Sequence, residues 1–264
     1  MKRFVPFMKS TPLVAVIRLS GVISTGRGGL NDQTLAPMIE RAFAKGKPKA
    51  VALVINSPGG SPVQSSLISA RIRRLSEEKE IPVYAFVEDV AASGGYWLAC
   101  AADQIFVDAT SIIGSIGVIS ASFGFDKVMA NYGVERRIHT AGKSKSFMDP
   151  FSPQKAADVK RIKSLQEPIH QAFINHVQTR RGTRLDENAE MFGGEIWVGQ
   201  QALDVGIADG IAHVSPKMKE LFGDKTRFRT YGPKKSALSR FGLSLVDETL
   251  LGIEERNLRA GFGL

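Results

Sequence analysis

The chain has 264 residues, enough to bury a full hydrophobic core, and this length favours one domain with an appendage over two equal domains. Its content of 43% hydrophobic and 23% charged residues is ordinary for a soluble globular protein. The formal net charge of +9 is spread along the chain, and no Arg-rich run alternates with aromatic residues, so we expect no nucleic-acid partner. A single cysteine, Cys100, excludes an internal disulfide framework and a Cys-rich metal site.

The N-terminus is basic but shows no export signal and no membrane span. The positive residues of Met1–Lys9 are followed by the apolar run Pro12–Ile17, which Arg18 interrupts. No stretch approaches the roughly 18 apolar residues of a membrane helix. We therefore expect a protein that is cytoplasmic or peripheral at the inner membrane. The membrane contact would then be made by Met1–Lys9 or by an amphipathic helix predicted at Leu245–Leu258.

The first part of the chain alternates predicted strands with predicted helices. Continuous apolar runs predict strands, and apolar residues at helical spacing predict helices. In chain order the predicted elements are a strand at Leu13–Leu19, a helix from Asn31 to Ala44, a strand at Ala50–Asn56, a helix ending near Glu78, a strand at Pro82–Val87 and a helix at Gly94–Ala102. This order is typical of βαβ units in an α/β fold with a mostly parallel sheet.

The second part of the chain mixes short elements with one long helix. The predicted elements are strands at Gln104–Val107, Gly117–Ser120 and Glu135–His139, and helices at Phe125–Tyr132, Ala156–Arg181, Glu187–Met191 and Gly199–Val205. The stretch from Lys217 to Leu264 has fewer signals. We therefore predict a main domain at residues 1–214 and a C-terminal extension, in part helical, at residues 215–264.

Two Gly-rich turns follow predicted strands, at Pro58–Gly60 and at Ser93–Gly95. In parallel sheets, functional sites form at the carboxyl ends of the strands. Ser93 has small neighbours and precedes a predicted helix, which suits a sharply turned nucleophile. A serine in this position is also typical of a helix N-cap, so Ser93 alone leaves both interpretations open.

A serine nucleophile needs a general base. Of the four histidines, only His139 follows a predicted strand and is a candidate base. The loop Thr140–Pro153 offers Lys143 and Lys145 instead. A lysine acts as a base only when burial keeps it neutral, and two solvated loop lysines are the plainer interpretation.

An acyl-transfer site also needs donors for an oxyanion. Gly59 and Gly60 present backbone amides at a strand end, and Gly94 offers an amide at a helix start. Pro-Gly-Gly is equally an ordinary turn sequence.

Three motifs occur in order along the chain. They are Asn56-Ser57-Pro58-Gly59-Gly60, Ala91-Ala92-Ser93-Gly94-Gly95-Tyr96 and Gly114-Ser115-Ile116-Gly117-Val118. Together they resemble the signal peptide peptidase A family, the S49 group of serine proteases with the ClpP/crotonase fold. The resemblance covers about Val14 to Val214 and implies repeated ββα units with a mostly parallel sheet.

The resemblance implies a Ser/Lys dyad. Ser93 is the implied nucleophile, and Lys145 is the implied base, 52 residues later in Gly142-Lys143-Ser144-Lys145. Lys143 lies on the other side of an extended segment and is the second choice. The family also implies that Ser115 holds the lysine amine by a hydrogen bond.

The resemblance further implies that the amides of Gly60 and Gly94 form the oxyanion hole. We expect Gly59 and Gly95 to contribute to substrate binding, because small residues let a peptide backbone approach.

The activity implied by the family is hydrolysis of peptide bonds in unstructured, apolar peptides such as signal-peptide remnants, by a ring-like homo-oligomer. We predict no cofactor and no metal, because no such motif is present. Two alternatives stay open: a crotonase-type enzyme acting on acyl-CoA thioesters, and a non-catalytic scaffold that binds peptides or membrane components. Acylation of Ser93 distinguishes the peptidase from both.

Overall fold

The computed structural model describes residues 11–26, 28–142, 144–232, 256 and 258–264. The predictions for Met1–Lys9, for Lys143 and for most of Leu245–Leu258 therefore lie outside the described residues. The chain forms two compact units, one made of Met1–Ile116 with Ile174–Leu264 and the other of Gly117–Phe173.

The secondary structure follows the predicted alternation in its first part. The strands are β1 (Leu13–Ser20), β2 (Ala50–Ser57), β3 (Val83–Ala92), β4 (Gln104–Val107), β5 (Ile112–Gly114), β6 (Ile196–Val198), β7 (Gly210–Ile211) and β8 (Arg227–Tyr231). The α-helices are α1 (Asp32–Ala44), α2 (Pro62–Lys79), α3 (Gly94–Ala99), α4 (Asp126–Asn131), α5 (Ala156–Arg181), α6 (Gln200–Asp204) and α7 (Val214–Phe222).

The first unit contains an eight-stranded sheet in the order β6-β5-β3-β2-β1-β8, with β4 paired to β3 and β7 paired to β4. Every pairing is parallel except that of β5 with β6. Strand β3 changes partner along its length: Tyr84–Phe86 pair with β4, whereas Val90–Ala92 pair with β5. This mixed but mostly parallel sheet confirms the predicted α/β fold.

Local sequence explains where the helices beside this sheet begin. The side chain of Asn31 accepts a hydrogen bond from the Thr34 amide at 3.0 Å and so caps α1. Ser61 caps α2, which has a proline in its first turn. Residues 13–17 of β1 and 50–55 of β2 are continuous apolar runs because both faces of these segments are buried.

Three predicted elements are wrong. Gly117–Ser120 and Glu135–His139 form no strand, and the strand of this region is β5, just before the first of them. Glu187–Met191 is a turn and not a helix. Short β-branched runs become strands only when a partner strand lies alongside, and β5 has such partners in β3 and β6.

Four elements late in the chain were not predicted: β6, β7, α7 and β8. Strand β8 falls in the predicted C-terminal extension and pairs in parallel with β1. Helix α7 covers one face of the sheet, where Met218 packs in a buried cluster with residues such as Val14 and Phe86. None of the described helices combines the length and the apolar character that a membrane crossing requires.

The second unit consists of loops, α4 and the greater part of α5. The ring of Phe125 stacks on that of Phe151 at 5.6 Å, and the guanidinium of Arg136 lies 4.7 Å from the centre of the Phe151 ring. Its large apolar side chains are exposed to an unusual extent. The exposed ones are Ile119, Phe123, Phe125, Val128, Tyr132, Val134, Ile138, Phe151, Leu165 and Ile169.

The last turns of α5 hold the carboxyl end of α3. The ring of His176 stacks on Trp97 at 4.8 Å, and its Nε2 donates to the Trp97 carbonyl at 3.2 Å. Arg180 donates to the carbonyls of Cys100 and Ala102 at 2.8 and 3.0 Å. Burial lowers the pKa of His176 to about 4, so the imidazole is neutral at pH 7.

We expect this histidine to make stability depend on pH. The folded chain protonates His176 near pH 4, whereas an unperturbed histidine titrates near 6.5, so the unfolded chain binds the proton first as the pH falls. The contribution of neutral His176 to the free energy of unfolding is complete above pH 6.5. It decreases as the pH falls, and at pH 4 it is smaller by on the order of 3 kcal/mol. Urea unfolding between pH 4 and 7 should show this slope in the wild type and in His139→Gln, an exposed histidine, but not in His176→Gln. Equal slopes in all three proteins contradict it.

Candidate active site

Ser93 has a backbone conformation that side-chain-bearing residues rarely adopt. Its φ is 51° and its ψ is −119°. The Ser93 amide donates to the Gly114 carbonyl at 2.8 Å, and the Ser93 carbonyl accepts from the Trp97 amide at 3.0 Å. Although Ser93 stands at the N-cap of α3, its side chain makes no capping hydrogen bond. The half-buried hydroxyl is thus not occupied by the ordinary role of a serine at a helix start.

The turn at Gly59 and Gly60 lies directly against Ser93. Both glycines have positive φ, of 104° and 136°. A Cβ on Gly59 would lie 2.9 Å from the Ser93 Cβ and 2.9 Å from the Gly94 nitrogen. A Cβ on Gly60 would collide with the Ile23 carbonyl. Glycine is therefore required at both positions by conformation and by space.

Two backbone amides meet beside the serine. The amide of Gly59 donates to Ser57 Oγ at 3.2 Å and that of Ser61 to the Ile23 carbonyl at 2.7 Å, but the Gly60 amide between them has no acceptor among the described residues. The Gly94 amide belongs to the first turn of α3, where amides lack intrahelical acceptors. The Cβ position of Gly94 lies 3.4 Å from the Gly60 nitrogen. Such a pair of amides is what an oxyanion hole needs.

Ser115 leaves the sheet next to Ser93. Ala92 of β3 is aligned with Gly114 of β5, so the two serines follow neighbouring parallel strands at the same level. Ser115 also has a positive φ, of 53°, and its amide donates to the Glu195 carbonyl at 2.6 Å.

Two buried serines, Ser57 and Ser65, support this arrangement, and neither was predicted to have a role. The Ser57 hydroxyl donates to the Gly21 carbonyl at 2.7 Å while accepting from the Gly59 amide. The Ser65 hydroxyl donates to the Ser61 carbonyl at 2.9 Å and occupies the space that a Cβ on Gly94 would need. Ser57 lies within a motif, but nothing in the pattern of α2 distinguishes Ser65.

Gly59 and Gly95, which we expected to contribute to substrate binding, are both buried. A Cβ on Gly95 would collide with the Ser57 carbonyl, so this glycine allows α3 to pack closely on the end of β2. Their contact with substrate stays a prediction.

The candidate bases belong to the second unit. Lys145 is exposed, and its amide donates to the Gly142 carbonyl at 3.2 Å. Farther along the same loop, the Met148 amide donates to Asp158 Oδ2 at 3.3 Å. His139 is exposed as well. In the described part of the chain, no three or more His, Cys, Asp or Glu side chains form a group that could hold a metal ion.

Comparison with known proteins identifies relatives of this chain. The model of peptidase family S49 matches residues 76–224. A protein of Brucella abortus named Na(+)/H(+) antiporter NhaA is 45% identical over 246 residues, which are 91% of this chain and 33% of that protein. The chloroplastic serine protease SPPA of Arabidopsis thaliana is 31% identical over 76% of this chain and 31% of its own length. The putative signal peptide peptidase SppA of Enterococcus faecium is 28% identical over 82% of this chain and 64% of its own length.

The chain thus spans about a third of the length of the first two relatives. Among solved structures, a mutant of the 1510-N membrane-bound stomatin-specific protease has a TM-score of 0.53 at 16% identity, covering 86% of this chain and all of the other. A second mutant, in complex with a substrate peptide, has a TM-score of 0.54 at 15% identity and covers 90% of this chain and 99% of the other. These similarities confirm the predicted ClpP-like fold.

The close packing at Gly60 has a measurable consequence. We expect Gly60→Ala to lower the free energy of unfolding by about 1–3 kcal/mol, because the new Cβ strains a φ of 136° and meets the Ile23 carbonyl. Gly124→Ala is the matched control, since its Cβ would meet only Asp126 Oδ1 at 3.5 Å. Urea unfolding compares the two variants, and equal stability would show that the turn is looser than described.

Proposed function

The chain belongs to peptidase family S49, and we propose that it is a serine endopeptidase with Ser93 as nucleophile and Lys145 as general base. The backbone of Ser93 carries the proposal. Its unusual conformation leaves the hydroxyl uncapped beside the amides of Gly60 and Gly94. A strained serine at a strand-to-helix turn is how several hydrolases present a nucleophile.

In the proposed reaction, the neutral amine of Lys145 takes the proton from Ser93 Oγ, and the oxygen attacks the carbonyl carbon of a peptide bond. The oxygen of the tetrahedral intermediate accepts hydrogen bonds from the amides of Gly60 and Gly94. The protonated lysine then gives its proton to the leaving amine. Water hydrolyses the acyl-enzyme, with the lysine again as base. Ser115 accepts a hydrogen bond from the amine and keeps it in place.

We propose unstructured, apolar peptides as substrates, with signal-peptide remnants as the first class to test. The name of the Enterococcus faecium relative, a putative signal peptide peptidase, supports this choice. The exposed position of Gly60 also supports it, because an extended peptide can reach the backbone there, whereas a folded substrate would have to unfold first.

We further propose that the chain works as a ring-like homo-oligomer. A lysine base must be shielded from water, yet Lys145 is exposed in the single chain. The exposed rings of Phe123, Phe125 and Phe151 adjoin one another and support assembly, because monomeric proteins rarely expose large contiguous apolar patches. A neighbouring copy would then supply the burial that the base needs.

The exposure of Lys145 also favours a second candidate function, a scaffold that binds peptides without cleaving them. In that protein Ser93 would not react with electrophiles.

A serine-reactive fluorophosphonate probe separates the two functions. We expect labelling of the wild type between pH 7 and 9, and its loss in Ser93→Ala and Lys145→Ala, because the first lacks the nucleophile and the second lacks the base. Lys155→Ala, at an exposed lysine of the same unit, is the matched control and should keep the label.

Lys143→Ala completes this set. If labelling is lost in Lys143→Ala but kept in Lys145→Ala, the base is Lys143, two residues earlier than proposed. A correctly folded wild type that takes no label would rule out the peptidase and leave the scaffold.

The assembly can be tested at Phe123, whose side chain is 80% exposed. We expect Phe123→Asp to shift the protein to smaller species in light scattering, because a charge would have to be buried in the interface. Probe labelling should fall in parallel. Lys127→Asp, a charge change in the same unit, is the control for charge alone. An unchanged mass for Phe123→Asp would place the interface elsewhere.

A further inference from the structure

A cavity of about 730 Å³ opens in the first unit, between α1, the loop before it and β8. None of the residues that line it belongs to the three Gly-rich motifs. Its volume lies within the range of about 300–1,000 Å³ that is usual for small-molecule sites. Nothing in the proposed peptidase reaction uses it.

Three of the residues that line the cavity are basic. Arg41 and Lys45, at the end of α1, and Arg229, on β8, line it, and none of the three forms an ion pair with a described residue. Arg229 donates to the Lys45 carbonyl at 3.1 Å, so it ties β8 to the end of α1. Arg41 and Lys45 are exposed and uncompensated, which favours an anionic ligand.

Apolar residues also line the cavity, among them Leu30, Leu35 and Met38. Tyr231 also lines it, and its hydroxyl is buried without a hydrogen-bond partner in the described part of the chain. Buried hydroxyls are nearly always paired, so this hydroxyl is open to a polar partner other than the described residues.

We propose that this cavity binds an amphipathic carboxylate. Arg41 and Lys45 bind the carboxylate, and an apolar chain packs on Leu30, Leu35 and Met38. Two sources have this chemistry: a medium-chain fatty acid, and an apolar peptide with a free carboxyl terminus.

The cavity is connected to the proposed oxyanion turn. The Leu30 amide donates to the Val22 carbonyl at 2.9 Å, and the Leu30 carbonyl accepts from the Ser24 amide at 3.1 Å. These two bonds flank Ile23, whose amide donates to the Gly59 carbonyl at 2.8 Å. A ligand that moves Leu30 therefore acts on the turn that holds Gly60. This effect on reactivity rests on the proposed function, whereas the binding itself does not.

Isothermal titration calorimetry tests the binding. We expect decanoate, or an apolar hexapeptide with a free carboxyl terminus, to bind with a dissociation constant below about 1 mM. Decanol and the amidated hexapeptide should bind at least tenfold more weakly, because they lack the charge. The anion that binds identifies the source. Binding of neither anion, or equal binding of the neutral analogues, overturns the proposal.

Variants locate the site. Arg41→Gln and Lys45→Gln should each weaken binding about tenfold, since each removes a charged hydrogen-bond donor. Lys49→Gln, at an exposed lysine outside the cavity, is the matched control and should bind as the wild type does. Met38→Trp places a larger side chain in the lining of the cavity and should also weaken binding. Unchanged affinity in Arg41→Gln, Lys45→Gln and Met38→Trp overturns the assignment of the binding site to this cavity.

The labelling rate of Ser93 tests the connection. A saturating concentration of the bound anion should change the rate of fluorophosphonate labelling at least about twofold in the wild type and in Lys49→Gln. Binding without a change in rate overturns the connection. A protein that is never labelled refutes the proposed function, while the calorimetric result still decides the binding.

Discussion

The backbone of Ser93 is the constraint on which the site depends. A residue held in a sparsely populated conformation such as φ 51°, ψ −119° costs about 1–3 kcal/mol, so the surrounding structure must enforce it. Here the enforcement comes from both sides of the residue. The bond to the Gly114 carbonyl fixes the end of β3 against β5, and the bond from the Trp97 amide fixes the start of α3.

The turn at Ser93 follows the last residues of β3, which extend beyond the part of the strand that pairs with β4. The register between β2 and β3 shifts after Ile55, and the last residues of β3 leave β4 and pair with β5. The change of partner brings Ser115 beside Ser93. At the far end of α3, His176 and Arg180 donate to the carbonyls of Trp97 and Cys100, so the short helix is held at both ends.

The elements that the sequence predicted well are those with strong local signals. Helices α1 and α5 have caps or long apolar periodicity, and β1 and β2 are continuous apolar runs. Strand β5 and the end of β3 were missed because their pairing joins residues far apart in the chain, which no local pattern shows. The same limit applies to the site: the glycines of the turns could be identified from their sequence, but the support from Ser65 arises only when α2 packs against Gly94.

The remaining requirement of the proposed dyad is energetic. An ordinary exposed lysine has a pKa near 10.4. A lysine that is half neutral at pH 7.4 has a pKa about three units lower, so its charged form is less stable by about 4 kcal/mol. That cost must be offset by contacts that cover the lysine. Burial of one large apolar side chain contributes about 1.5–3 kcal/mol, so two or three of the exposed side chains of the second unit suffice. Under the proposed dyad and assembly, the exposed apolar area of the second unit is large enough to offset this cost, and assembly and activity would be linked by the same contacts.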